Sequence, residues 1–486
     1  MKAFGLAILS ALLSIAVLPH LGFVWLAPVC LVPLLVALAG EVRPLRRALL
    51  GWAAGFVYWF GACYWIRHVL AQYGGMNVAL VWLAFLLFCG LRALPWMAFG
   101  WLAGYVVHSR WAVLGVAALW TGLERVYGPF GFAWFVLGNA GIDMSVPLRL
   151  APVTGVYGLS FVFAMLGAGV AVLILRKPRV HLVPLALLPL VLLLPAPPAA
   201  EPGTETAVVV QPNIEERADW TQQLTEDTIK RLTAQTLDVA LAAKPAPRVI
   251  LWPEVPAPFY YETDAFFRKQ VAGVARATRT DFLFGGVAQT PRGAPLNSVF
   301  DLGVDGNFVA RYDKINLVPF GEYTPSWFQW IGKISTEAGS FAPGAKILTF
   351  PIAGGRAGTF ICYESVFPHF VRQFAAEGAG VLVNLSNDGY FGRSAAREQH
   401  LTIARMRAAE NRRWLIRATN DGITAVIDPA GRVVQRLTAY GRVAARVQFD
   451  WRTDLSPYTR YGDWFVWGCL AAGLLSCVGR GMLQRR

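Results

Sequence analysis

A carboxylate, an ammonium and a thiol stand at or near the ends of short apolar runs in the C-terminal half of this chain. Glu254 closes Val249-Ile250-Leu251-Trp252-Pro253-Glu254, Lys314 lies in Arg311-Tyr312-Asp313-Lys314-Ile315-Asn316, and Cys362 ends Thr359-Phe360-Ile361-Cys362. Separations of 60 and 48 residues suit strand ends that converge on one cleft. The chemistry follows from the residue types. A free thiol, with a pKa of about 8.5, is mostly protonated at neutral pH, so a base must take its proton before it attacks. Glu254 is the candidate base. Attack on an acyl carbonyl creates an oxyanion that needs donors already in place, and the Lys314 ammonium and the Tyr363 amide are the candidates. Singly, each residue has an ordinary structural explanation as a small buried group or a solvated charge. His369 and His400 offer a competing thiol–imidazole scheme. The other five cysteines, Cys30, Cys63, Cys89, Cys469 and Cys477, fall in apolar segments where a thiol is usually a packing group.

The elements that must position these groups are legible between 201 and 463. Strands are expected at 207–211, 248–253, 281–288, 297–303, 347–352, 356–363, 380–385, 414–418, 423–427 and 432–437, with helices at 218–243, 264–278 and 395–411. Alternating strands and helices indicate an α/β layered domain.

The remainder is a different solvent class. Of 486 residues 55% are hydrophobic and 15% charged, and the apolar residues gather in runs at 4–19, 23–39, 49–66, 78–107, 111–126, 151–175, 180–197 and 464–480. Each is near the length a bilayer-crossing helix needs. The segment 78–107, interrupted by Arg92 and Pro95, is taken as one span. The expected domains are therefore 1–197 with seven membrane helices, an extracytoplasmic domain at 201–463, and 464–486 with the eighth helix and a tail. Residues 201–463 hold 29 Lys+Arg against 27 Asp+Glu, leaving 15 against 3 elsewhere. That basic excess sits in short connections, as the positive-inside rule predicts, with both termini cytoplasmic. It argues against nucleic acid as a partner.

Ordered motifs join the two halves. Trp252-Pro253-Glu254, Tyr312-Asp313-Lys314, Leu317-Val318-Pro319-Phe320-Gly321-Glu322-Tyr323 and Ile361-Cys362-Tyr363-Glu364 are followed by Asn384-Leu385-Ser386-Asn387-Asp388-Gly389-Tyr390-Phe391-Gly392, Gln399-His400 and Thr419-Asn420-Asp421-Gly422-Ile423-Thr424. With eight spans around them, they resemble the nitrilase or carbon-nitrogen hydrolase superfamily and, within it, the apolipoprotein N-acyltransferases. The resemblance implies a polytopic α-helical membrane domain plus an αββα sandwich carrying a Glu-Lys-Cys triad. By position, Glu254 would be the general base, Lys314 the oxyanion-stabilising cation and Cys362 the nucleophile. Glu322, Glu364 and Tyr363 would support them, and Trp220, Asn297 and Tyr390 would contact substrate. Tyr390 stands where the family usually has Trp.

The implied reaction passes an acyl chain from a glycerophospholipid donor, through a thioester on Cys362, to the α-amino group of a diacylglyceryl apolipoprotein. No cofactor and no metal is implied, and a monomer in the bacterial inner membrane with a periplasmic catalytic domain is expected. A membrane-tethered amidohydrolase using water as acceptor is the alternative. Two aromatic stretches, Phe259-Tyr260-Tyr261 with Phe266-Phe267 and Trp327-Phe328 with Trp330, suit a membrane-facing lid. Glu124 and Arg125 are expected to pair at the membrane surface.

Overall fold

The computed structural model describes residues 1–127, 131–215, 219–324 and 341–481, the last four by backbone alone. The chain forms two compact units, Met1–Pro197 with Tyr461–Arg486, and Pro198–Arg460.

The first unit is helical. Among its described residues, Val78–Val106 and Val156–Ile174, of 29 and 19 residues, are long and apolar enough to cross a membrane. The run 78–107 folds as the helices Val78–Arg92 and Leu94–Val106, which continue one another through Ala93. Pro44–Ala62 and Ile66–Tyr73 make a broken pair bent by 59°, and Lys2–Ala16, Arg179–Leu193 and Trp464–Cys477 are shorter apolar helices. Two expected spans differ in form. The run 23–39 folds as a turn at Val24–Leu26 followed by a nine-residue helix, Val32–Gly40. The run 180–197 is a 3₁₀ helix over Arg179–Leu193, because Pro184 and Pro189 lack the N–H that a continuous α-helical ladder requires. Small residues let the helices touch: a Cβ on Gly51 would lie 2.2 Å from the Trp96 carbonyl oxygen and 3.0 Å from the Cα of Gly100.

Arg125 pairs with Asp463, Nε to Oδ2 at 2.5 Å, and not with Glu124 as the sequence suggested. Glu124 instead accepts the Leu137 N–H at 2.8 Å. Adjacent helical positions point about 100° apart, so neighbours in sequence do not face each other.

The second unit is a four-layer sandwich. Its strands are β1 (Glu205–Gln211), β2 (Val249–Leu251), β3 (Asp281–Gln289), β4 (Pro295–Leu302), β5 (Phe308–Asp313), β6 (Thr349–Ile352), β7 (Gly355–Ile361), β8 (Val381–Ser386), β9 (Trp414–Thr419), β10 (Ala425–Ile427), β11 (Val433–Arg436) and β12 (Val443–Phe449). One sheet runs β12-β1-β2-β3-β4-β5 and the other β11-β10-β9-β8-β7-β6. Each has a parallel core of three strands, β1-β2-β3 and β7-β8-β9, with antiparallel strands outside it. β5, β12 and the helix Pro368–Ala376 were not among the elements expected from the sequence.

The helices Gln222–Ala242 and Ala265–Thr278 cover the first sheet through Ile229, Leu232, Phe267 and Val271, which meet Val208, Ile250, Phe282, Phe284 and Phe300 in one core. Fully burying such a side chain contributes about 1.5–3 kcal/mol. Trp252 closes this core, its Nε1 donating to Thr236 Oγ1 at 2.9 Å. On the second sheet Phe360 packs against Phe374 of Pro368–Ala376, and Gly358 lets that ring approach, since a Cβ there would sit 2.6 Å from the Phe374 Cβ. Strands parallel in the core of a sheet deliver their carboxyl ends to one side, where α/β proteins place their ligands.

Candidate active site

Cys362 begins where β7 stops. The sequence placed it within a strand over 356–363, but the strand ends at Ile361, and Cys362 has φ +48° and opens the 3₁₀ turn Cys362–Val366. A non-glycine residue held at positive φ costs roughly 1–3 kcal/mol and persists only where its surroundings enforce it. Glu364 is part of that enforcement: its Oε2 accepts the Ile361 N–H at 2.7 Å. Its Oε1 accepts the N–H groups of Ile315 and Asn316 at 2.8 and 3.0 Å, and the Tyr312 hydroxyl donates to both oxygens. Burial pushes the Glu364 carboxyl up to about 7, against the opposing pull of the Ile361 and Asn316 amides.

Lys314 follows β5 directly, and its buried ammonium lies between two carboxylates, 3.0 Å from Glu254 Oε1 and 2.9 Å from Glu322 Oε1. Asn297 bridges the same pair, its Nδ2 2.8 Å from each. The remaining oxygens are held by backbone: Glu254 Oε2 accepts from Asn387 N at 2.9 Å and Glu322 Oε2 from Val318 N at 2.8 Å. Burial would push Lys314 down, yet Glu254 and Glu322, with Cys362 nearby, hold it well above the usual lysine value. Lys314 is therefore a fixed cation. Burial raises Glu254 above the ordinary carboxylate value, opposed by Lys314 and reinforced by Glu322. The Cys362 thiol, 7% exposed, is pushed far up by burial and by Glu254, with Lys314 opposing. Burial thus disfavours the charged forms of both Cys362 and Glu254.

Behind Cys362 lies a buried polar cluster that the sequence reading did not assemble. His400, on the helix Ala396–Asn411, has Nε2 3.1 Å from the Cys362 carbonyl oxygen and 2.8 Å from Ser365 Oγ. Its Nδ1 lies 3.0 Å from both Asp388 Oδ1 and an Arg417 nitrogen. Arg417 Nη2 reaches both Asp388 oxygens, at 2.9 and 2.8 Å, and Nη1 bonds Asn384. His400 thus meets the backbone carbonyl of Cys362. The motif Asn384 to Asp388 was visible; its convergence with Arg417 and His400 depends on β8 and β9 being neighbours.

Residues 206–450 match the carbon-nitrogen hydrolase family, and residues 10–169 match the apolipoprotein N-acyltransferase N-terminal domain. An apolipoprotein N-acyltransferase of Geobacter metallireducens is 33% identical over 97% of this chain and 94% of its own. One from Azotobacter vinelandii is 33% identical over 92% and 88%. The chain belongs to the apolipoprotein N-acyltransferase family. A solved amidase of the nitrilase superfamily, from Nesterenkonia, covers 54% of this chain and 95% of its own at 18% identity, with a TM-score of 0.41. The apolar helices of the first unit make this an integral membrane protein.

The residues expected to contact substrate lie in different settings. Asn297 is a structural bridge within the carboxylate pair, and Trp220 packs against the core of the first sheet. Tyr390 is 43% exposed, and Tyr363 is buried with its ring edge-on to Phe367. The first aromatic stretch is largely core: Phe259 and Phe267 are fully buried and stack at 4.7 Å, and Tyr261 packs on Phe300. Burial of these rings on the sheet outweighs any interfacial preference, leaving Tyr260 exposed. Trp327, Phe328 and Trp330 lie outside the described residues. No group of three or more His, Cys, Asp or Glu side chains suited to a metal occurs among the described residues.

Proposed function

We propose that this protein transfers an acyl chain from a glycerophospholipid to the N-terminal amine of a diacylglyceryl apolipoprotein. The observation that carries this reading is the buried Lys314 ammonium within 3.0 Å of Glu254 and Glu322, beside an elbow-held Cys362, in a member of the apolipoprotein N-acyltransferase family. Glu254 takes the thiol proton as Sγ attacks the ester carbonyl, while Lys314 and the Tyr363 N–H stabilise the oxyanion. Collapse breaks the ester bond, Glu254 returns the proton to the departing alkoxide, and a lysophospholipid leaves. The lipoprotein amine then attacks the thioester, Glu254 takes its proton, and the thiolate departs and is reprotonated. Glu322 and Glu364 hold Lys314 and the elbow in register.

The same reading puts the protein in a bacterial inner membrane as a monomer, with Pro198–Arg460 in the periplasm and both termini cytoplasmic. The distribution of basic residues supports that orientation. Incubating purified protein with labelled phospholipid tests the chemistry. A hydroxylamine-sensitive label on Cys362 that persists until a lipopeptide amine is supplied supports transfer. Prompt release as free fatty acid supports the hydrolase alternative, and no label on Cys362 overturns the reading.

A further inference from the structure

We propose that His400 is a positioning residue for the oxyanion site, acting through the peptide unit that joins Cys362 to Tyr363. The inference rests on Cys362 being the acyl-bearing residue. The Cys362 carbonyl oxygen and the Tyr363 N–H belong to one planar trans peptide, so they point in opposite directions and rotate together. Anchoring the carbonyl therefore aims the amide. The anchor is His400 Nε2, 3.1 Å from that oxygen.

The donor at Nε2 follows from its neighbour. A carbonyl oxygen only accepts, so Nε2 must carry a proton, while Nδ1 is held 3.0 Å from both an Arg417 nitrogen and Asp388 Oδ1. Asp388 accepts from the same Arg417 Nη2 through both carboxylate oxygens. Ser365 Oγ, 2.8 Å from Nε2, shares the donor within the same turn. His400, Asp388, Arg417 and Ser365 are all fully buried, which shields these hydrogen bonds from bulk solvent. At φ +48°, Cys362 lies in a backbone region that the chain would leave without such restraint, and rotation of the following peptide would swing the Tyr363 N–H away.

Two reactions of the same sulfur separate this role from others. Acyl transfer passes through an oxyanion, whereas alkylation by iodoacetamide displaces iodide and forms none. Each variant is compared with the parent for thioester formation from labelled phospholipid and for Cys362 alkylation, with a thermal melt to verify folding. His400→Asn places an amide where Nδ1 was and cannot reach the carbonyl; His400→Gln extends a donor to the Nε2 position. The expected result is thioester formation reduced about 100-fold in His400→Asn, near the effect of losing an oxyanion donor, with alkylation within about twofold and His400→Gln recovering at least about tenfold of the loss. Parallel loss of both reactions, or retention of both, overturns the proposal. Should wild-type protein form no thioester on Cys362, the underlying reading fails instead, and the alkylation control distinguishes that case from an unreactive preparation.

Discussion

The Tyr312 hydroxyl donates to both oxygens of Glu364, at 2.8 and 2.9 Å, tying the edge strand β5 of one sheet to the turn that follows β7 of the other. Tyr312 precedes Lys314 by two residues and Glu364 follows Cys362 by two, so this contact sets the spacing between Lys314 and Cys362. Tyr312→Phe removes the shared donor while preserving the ring packed on Phe374. The expected cost is about 1–3 kcal/mol of stability, measured by thermal or denaturant unfolding, together with slower thioester formation. Unchanged unfolding and unchanged acylation would show that the two sheets are registered by other contacts.

Lys314→Met should lower thioester formation by about 10²–10³-fold, because a charged donor is lost from the oxyanion site. It also leaves Glu254 and Glu322 sharing a buried space without their common cation. Adding Glu322→Gln should restore much of the lost melting temperature without restoring acylation. Recovery of activity in the double variant would mean that Lys314 serves only to neutralise charge.

Asn297 supplies two N–H donors to two carboxylates. Asn297→Asp would replace them with a third acceptor, so it should be more damaging than Asn297→Ala in both acylation and stability, although it is the closer match in shape. Rates and melts for the pair test this ranking, which would reverse if Asn297 acted mainly by filling space.

Asp301 faces the interior from β4, fully buried, and among the described residues neither of its oxygens has a hydrogen-bond partner. Burial and, next, the nearby Asp281 push its carboxyl up to about 8. An unfolded chain releases this proton near pH 4, so between about pH 4 and 8 the folded protein binds more protons and Asp301 removes stability as pH rises. The melting temperature of Asp301→Asn should gain on that of the parent as pH is raised from 4 to 8.5. A difference independent of pH would place an undetected cation or donor beside Asp301.

Arg125 and Asp463 join the end of the helix Ala112–Arg125 to the start of the last helix. Reversing one charge, Asp463→Arg, should lower the yield of folded protein in detergent, since breaking a largely buried pair costs about 3–5 kcal/mol. The exchange Arg125→Asp with Asp463→Arg should recover part of that yield. Equal yields throughout would assign the helix contact to packing alone.

Much of this architecture is written in local pattern. Alternation and apolar runs were enough to find the parallel strands, and Glu254, Lys314 and Cys362 were visible as polar residues at the ends of such runs. What escaped has physical causes. β5 and β12 carry exposed or charged side chains among their apolar residues, as in Phe308–Asp313 and Val443–Phe449, so their hydrophobic signal is diluted. The positive φ of Cys362 has no signature in a residue that is not glycine. Nor do the contacts of His400 with Cys362, or of Arg125 with Asp463, have one, because each joins segments whose proximity is a property of the completed fold. The prolines at 184 and 189 were legible, but apolarity alone concealed that they force a tighter helix on Arg179–Leu193.

The first and last strands of the catalytic unit lie side by side and antiparallel, with Glu205 opposite Phe449. The chain therefore enters and leaves this unit at the same end of one sheet edge, as through a two-wire plug. Such a module can be inserted between two helices of an existing membrane protein without either helix having to move, and it can be exchanged whole. Any tension on either connector falls on the seven paired positions of β1 and β12 before it reaches the strands that lead to Glu254 and Cys362.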